Sequence, residues 1–128
     1  MKILETEIGT LEFNYGWTKP ISIDIDFQSF EINLVFEAFD GELVSDQQLN
    51  NYKLFKQEQS KYEGSVLRLI NEYILKESIQ DKKFTPTSLV FKRDGSFGLL
   101  CDCDWDIDQG VVVILSPNEM VKNQDYFL

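Results

Sequence analysis

The sequence predicts an α+β domain: an antiparallel sheet built from N- and C-terminal strands, packed on one long or two consecutive central helices. Three observations carry this. Apolar residues alternate at a period of two up to residue 38. They recur at helical spacing from Leu49 to Ile74. They then return to short runs punctuated by Asp94-Gly95 and Pro117-Asn118. The 128 residues suit a single domain, 1–128.

Taken in order, Ile3 to Glu7 and Thr10 to Tyr15 flank Gly9 and predict a hairpin. Ile21, Ile23, Ile25 and Phe27 then alternate with Ser22, Asp24 and Asp26, giving a strand with one apolar and one acidic face. Phe30, Ile32, Leu34, Phe36 and Ala38 alternate with Glu31, Asn33, Val35 and Glu37. Adjacent amphipathic strands of this kind predict an antiparallel sheet with one face in water.

Ser45 with Gln48 forms a capping-box pattern, and Val44 with Leu49 fits a hydrophobic staple. Leu49, Tyr52, Phe55, Tyr62, Val66, Leu69, Ile70, Tyr73 and Ile74 supply the apolar stripe. Lys56 to Lys61 and Gly64 interrupt it, and Ser60 with Glu63 repeats the capping-box pattern. Two helices meeting near residue 60 are favoured over one long helix. Asp81 to Phe84 and Pro86 end the helical region. Ser88 to Lys92 and Phe97 to Cys103 flank Asp94-Gly95 as a second hairpin. Val111 to Leu115 predicts a central strand and Val121 to Leu128 a last short one, with Phe127 and Leu128 tied into the core.

Composition narrows the function. Lys and Arg total 12 against 22 Asp and Glu, a formal charge of −10. That opposes nucleic-acid binding, where cations must neutralise phosphates, and a polybasic membrane site. The sequence holds 0 histidines, which removes Ser-His-Asp and Cys-His catalysis and the HExxH zinc site. Acids at Glu5 and Glu7 break any early signal-peptide region, and two closely spaced thiols suit a reducing, cytoplasmic setting.

The unusual segment is Leu99 to Gly110. Extended, it places Leu99, Cys101, Cys103, Trp105 and Ile107 on one face and Asp102, Asp104, Asp106 and Asp108 on the other. A calcium site centred on Asp104, Asp106 and Asp108 is one reading. An EF-hand fails, because its sixth and twelfth positions hold Ile107 and Val113, or Gln109 and Leu115. Asp-x-Asp phosphoryl transfer fails on strand order and chain length. Cys101-x-Cys103 offers too few ligands for structural zinc. Paired carboxylates for glycoside hydrolysis carry almost no weight in so acidic a chain. The favoured reading buries the cysteines and tryptophan and shows the acids to water.

Asp94-Gly95, Phe97, Leu99, Leu100, Cys101-Asp-Cys-Asp-Trp-Asp106, Gly110 and Gln124-Asp125 resemble a group of small bacterial proteins of unknown function. That group carries a Cys/acidic stretch and a Trp-Asp pair on its C-terminal hairpin. The resemblance covers residues 88–128 best and 36–55 more loosely. Gln109 stands where the group often has His. The group has no established enzyme activity to carry over, no cofactor is expected, and some similar small acidic proteins look like immunity proteins of toxin systems.

The expectation is therefore a non-catalytic interaction protein, immunity- or inhibitor-like, that binds a basic partner such as a toxin nuclease. Its contact residues are Asp24, Asp26, Glu31, Glu37, Asp102, Asp104, Asp106 and Asp108.

Overall fold

A computed structural model describes residues 2–80 and 83–128, with side chains described throughout except at 106–108. In chain order the elements are β1 (Ile3–Thr6), β2 (Gly9–Phe13), β3 (Trp17–Ile25), β4 (Gln28–Phe36), α1 (Asp46–Gln57) and α2 (Gln59–Lys76). They continue as β5 (Phe84–Phe91), β6 (Phe97–Cys103), β7 (Asp106–Ser116), β8 (Met120–Asn123) and α3 (Gln124–Phe127). The eight strands form one sheet in sequence order, β1 to β8.

All neighbours are antiparallel except β4 and β5, which run parallel with Asn33 opposite Ser88 and Phe36 opposite Phe91. A parallel pair needs a crossover of a dozen or more residues, and α1 with α2 supplies it. The α+β class and the sheet from both ends of the chain are as expected. The parallel seam in the middle corrects the all-antiparallel expectation, since no local pattern reports which distant strand a strand will meet.

The β3–β4 hairpin closes at Ile25 opposite Gln28, leaving Asp26 and Phe27 as a two-residue turn. Their φ values of 53° and 63° are those of a type I′ turn, whose twist matches the flanking strands. Phe27, expected on the apolar face, is instead fully exposed at the tip. The last pair, Ile25 with Gln28, ends the strand before residue 27, so its side chain never reaches the apolar face.

β2 pairs with β3 only at Thr18 and Trp17, so the outer edge of β3 has no strand neighbour beyond them. Pro20, which lacks an N–H, is placed on that edge. Further along, α2 supplies the missing partners. Asp24 N–H donates to Glu63 Oε2 at 2.8 Å, and Gln59 Nε2 donates to the Ser22 carbonyl at 3.4 Å.

Ser45 caps α1, with both hydrogen bonds of the capping box formed. Two helices are found, meeting at Glu58. The expected second capping box at Ser60 and Glu63 does not form. Ser60 lies inside α2, and the Glu63 carboxylate is committed to the β3 edge. The helices bury Gln48, Tyr52 and Phe55 from α1 and Val66, Leu69, Ile70 and Ile74 from α2 against one face of the sheet. Phe91 sits at the centre, with ring centroids of Phe36, Tyr52 and Phe97 at 5.6, 5.8 and 4.8 Å. Such aromatic contacts add to the burial of the rings themselves.

The run Val111 to Leu115 is continuous because β7 is buried on both sides. Val111, Val113 and Leu115 face the helices, while Val112 and Ile114 join Val90 and Phe127 in a second, smaller core. β7 is an interior strand, flanked by β6 and β8, but it lies one strand from the edge and not in the middle of the sheet. The expected last strand is shorter, Met120–Asn123, and the chain then turns into α3. Phe127 is buried as expected, but Leu128 is exposed.

Candidate functional site

The solvent face of the sheet divides in two. Over β5, β7 and β8 it is apolar and lies under α3. Over β3 and β4 it is polar and open, because the alternation that sends Ile23, Ile25, Ile32 and Leu34 to the helices sends Ser22, Asp24, Glu31 and Asn33 outward.

This open half gathers most of the expected contact residues. Asp24 lies opposite Ser29 and Glu31 opposite Ser22. Ser29 Oγ donates to Asp24 Oδ1 at 2.5 Å, and Ser22 Oγ donates to Glu31 Oε1. Asp26 is exposed in the turn beyond them. Asp102 lies opposite Thr85 on the same face, two strands from β4 and so about 10 Å across the sheet. Asp104 is exposed in the β6–β7 turn, at the same end of the sheet as Asp26.

Glu37 does not belong to this group. It follows β4 at the other end, six residues from Glu31 and so about 20 Å away along the strand. Its carboxylate accepts the Arg93 backbone N–H at 3.0 Å. At that end Arg93 also pairs with Glu42 at 2.9 Å and stacks over Phe39. The Phe39 N–H, and then Arg93, hold the Glu42 carboxyl below its usual range.

The cysteine segment is not one extended strand. Cys103 pairs with Asp106, so the chain reverses at Asp104 and Trp105. The even row of four aspartates on one strand is thereby corrected: Asp102 is on β6, Asp104 is in the turn, and Asp106 and Asp108 are on the returning strand. The side chains of Asp106 and Asp108 lie outside the described residues, and so does a calcium site resting on them. Among the described residues no three His, Cys, Asp or Glu side chains come together to hold a metal ion.

Cys101 and Cys103 are buried on the helix face. Burial pushes the Cys101 thiol well above its usual range, with Cys103 and Asp102 adding to the shift. A thiol so protonated is a small apolar side chain rather than a nucleophile. Trp105 is half-buried, and its Nε1 has no hydrogen-bond partner among the described residues.

Among the described residues, the carboxylates of the open half make no ion pair. The ion pairs among the described residues are Lys2–Asp40, Lys53–Glu7, Arg68–Glu72, Arg68–Glu119 and Arg93–Glu42. None uses Asp24, Asp26, Glu31, Asp102 or Asp104. The surface therefore presents a negative field with serine and asparagine between the carboxylates, suited to attracting cationic groups.

Sequence reasoning missed two features. One is Gln48, the buried polar side chain at the β4–β5 seam. The other is a cavity of about 290 Å³ beside α3, lined by the β5–β6 and β7–β8 turns with Ile114 of β7, Met120 of β8 and α3. The capping-box pattern pointed to Gln48. No local pattern pointed to the cavity, whose walls are far apart in the chain.

A scan against protein-family models, a search of curated proteins and a search of solved structures each return no match.

Proposed function

We propose that this chain is a non-catalytic interaction module whose open half-sheet docks a basic protein. The observation that carries the reading is the set Asp24, Asp26, Glu31, Asp102 and Asp104, exposed towards one end of the sheet and without an ion pair among the described residues. A rigid strand pair presents carboxylates in fixed register, and the partner's Lys and Arg side chains replace the missing intramolecular cations. Opposite fields accelerate such encounters and select against acidic partners. A toxin nuclease is one suitable partner, because its substrate groove must be cationic. An immunity-like inhibitor needs no catalytic group, only complementarity. Glu37 falls outside the docking patch.

The test is capture from a lysate of the source organism by the wild-type chain and by the Asp24→Lys, Glu31→Lys double variant. A basic protein held in stoichiometric amount by the wild type, released by salt and absent from the variant, supports the reading. A partner held equally by both chains refutes it.

A further inference from the structure

β8 ends the sheet on the side away from β1 and, among the described residues, pairs only with β7. The outer edge of such a strand offers backbone N–H and C=O groups to a further strand. The gap along β3 is guarded by Pro20 and by the Gln59 and Glu63 side chains, and β8 has no such guard among the described residues. α2 runs beside the β8 edge in the same direction, since Arg68 reaches Glu119 at 2.9 Å while Tyr73 and Lys76 lie with Val121 and Lys122. The groove between them holds overlapping cavities of about 300 and 240 Å³. Its middle is apolar, with Leu69 buried and Tyr73 and Val121 half-buried. Its ends carry opposite charge. Glu72 and Glu119 share the one cation Arg68, which leaves that end net negative. Lys76 and Lys122 at the other end make no ion pair among the described residues, and Glu77 offsets only one of them.

We propose that the β8 edge and the flank of α2 bind a second copy of this chain, so that two sheets join through antiparallel β8 strands. Charge complementarity selects this occupant. An isologous contact sets each surface against itself reversed, and a surface negative at one end and positive at the other is complementary to its own reverse. A two-fold axis normal to the sheet at Val121 brings Glu72 of each copy towards Lys76 of the other. In the same register Met120 stands opposite Lys122 of the second copy and Glu119 opposite Asn123, so no like charges face each other across the strands. Val121 packs on the helix side and Met120 on the α3 side, so both cores continue across the junction. Each chain carries a charge of −10, and salt near 0.15 M screens this general repulsion beyond about 8 Å while the close pairs survive. The contact lies on the far edge of the sheet and does not depend on the acidic half.

The test is sedimentation velocity of the full chain over a concentration series at about 0.15 M salt, with folding of each variant checked by circular dichroism. The wild type is expected to sediment as a dimer that dissociates on dilution. Glu72→Lys and Lys76→Glu are each expected to weaken the dimer by about tenfold or more, because each sets like charges against one another. The two changes move the net charge in opposite directions, so general repulsion would not weaken both. An equimolar mixture of the two variants restores opposite charges at both contacts and is expected to dimerise like the wild type. The Glu72→Lys, Lys76→Glu double variant is expected to do the same. A wild type that stays monomeric at every concentration overturns the proposal. So does a dimer of equal strength in all these chains, or a mixture that dimerises no better than the single variants. Asp24→Lys, Glu31→Lys is expected to dimerise like the wild type, which keeps this result separate from the docking of a basic protein.

Discussion

Replacing Gln48 tests how the crossover is fixed to the sheet. Gln48 is 1 % exposed. Its Oε1 accepts the Ser45 N–H at 2.9 Å, completing the cap of α1. Its Nε2 donates to the Glu37 carbonyl at 2.9 Å and to the Phe91 carbonyl at 3.0 Å. One amide therefore ties the start of α1 to the ends of β4 and β5, where Glu37 N–H also donates to the Phe91 carbonyl at 2.9 Å. Gln48→Met keeps the volume and removes these hydrogen bonds. At about 1 kcal/mol net for each bond, with orphaned groups adding to the cost, the loss is about 3 kcal/mol. Gln48→Ala adds a cavity and is expected to lose about 4 kcal/mol. Urea unfolding followed by tryptophan fluorescence reads this as a midpoint lowered by about 1–2 M at unchanged slope. A Met variant within about 0.3 M of wild type would refute the reasoning, since the amide would then contribute nothing beyond its volume.

Other expectations follow from single positions. Phe27 holds φ 63° with no packing to compensate, so Phe27→Gly is expected to raise stability by about 0.5–1 kcal/mol in a thermal melt. A lower melting temperature would contradict the strain. Gly110 has φ 68°, and a Cβ there would lie 2.4 Å from the Cys101 carbonyl oxygen. Gly110→Ala is expected to cost about 3 kcal/mol, read by denaturant midpoint, and an unchanged midpoint would count against the β6–β7 register. The raised Cys101 thiol sets a pH dependence. The native state keeps a proton that the unfolded chain releases, so this contribution is complete below about pH 8.5 and is lost as pH rises above it. The urea midpoint of wild type should therefore fall more steeply between pH 8.5 and 10 than that of Cys101→Ala. Parallel slopes would remove Cys101 from the account.

Much of the fold was legible because its patterns are local. The Ser45–Gln48 box, the turn at Asp94-Gly95 and the alternation from Ile21 to Phe36 each report what lies within a few residues. The parallel β4–β5 seam was not legible, because it joins Asn33 to Ser88 across the whole helical region. Ser60 and Glu63 misled for a different reason, since Glu63 serves the edge of β3 instead of its own helix. Of the acidic residues, Asp24 and Glu31 were correctly placed on one face by period two. Asp104 was not, because Cys103 pairs with Asp106 and turns the chain there. The apolar cluster under α3 depends on a register among β5, β7 and β8 that no segment of sequence contains.

The central claim is that the open half-sheet recognises a basic protein by charge. It is tested most directly by the affinity of the captured partner for the wild-type chain and for Asp24→Lys, Glu31→Lys, measured by calorimetry across a salt series. The account predicts a wild-type affinity that falls steeply with salt, and a variant weaker by about tenfold or more at low salt that converges on it at high salt. Affinities that match at every salt concentration would contradict it.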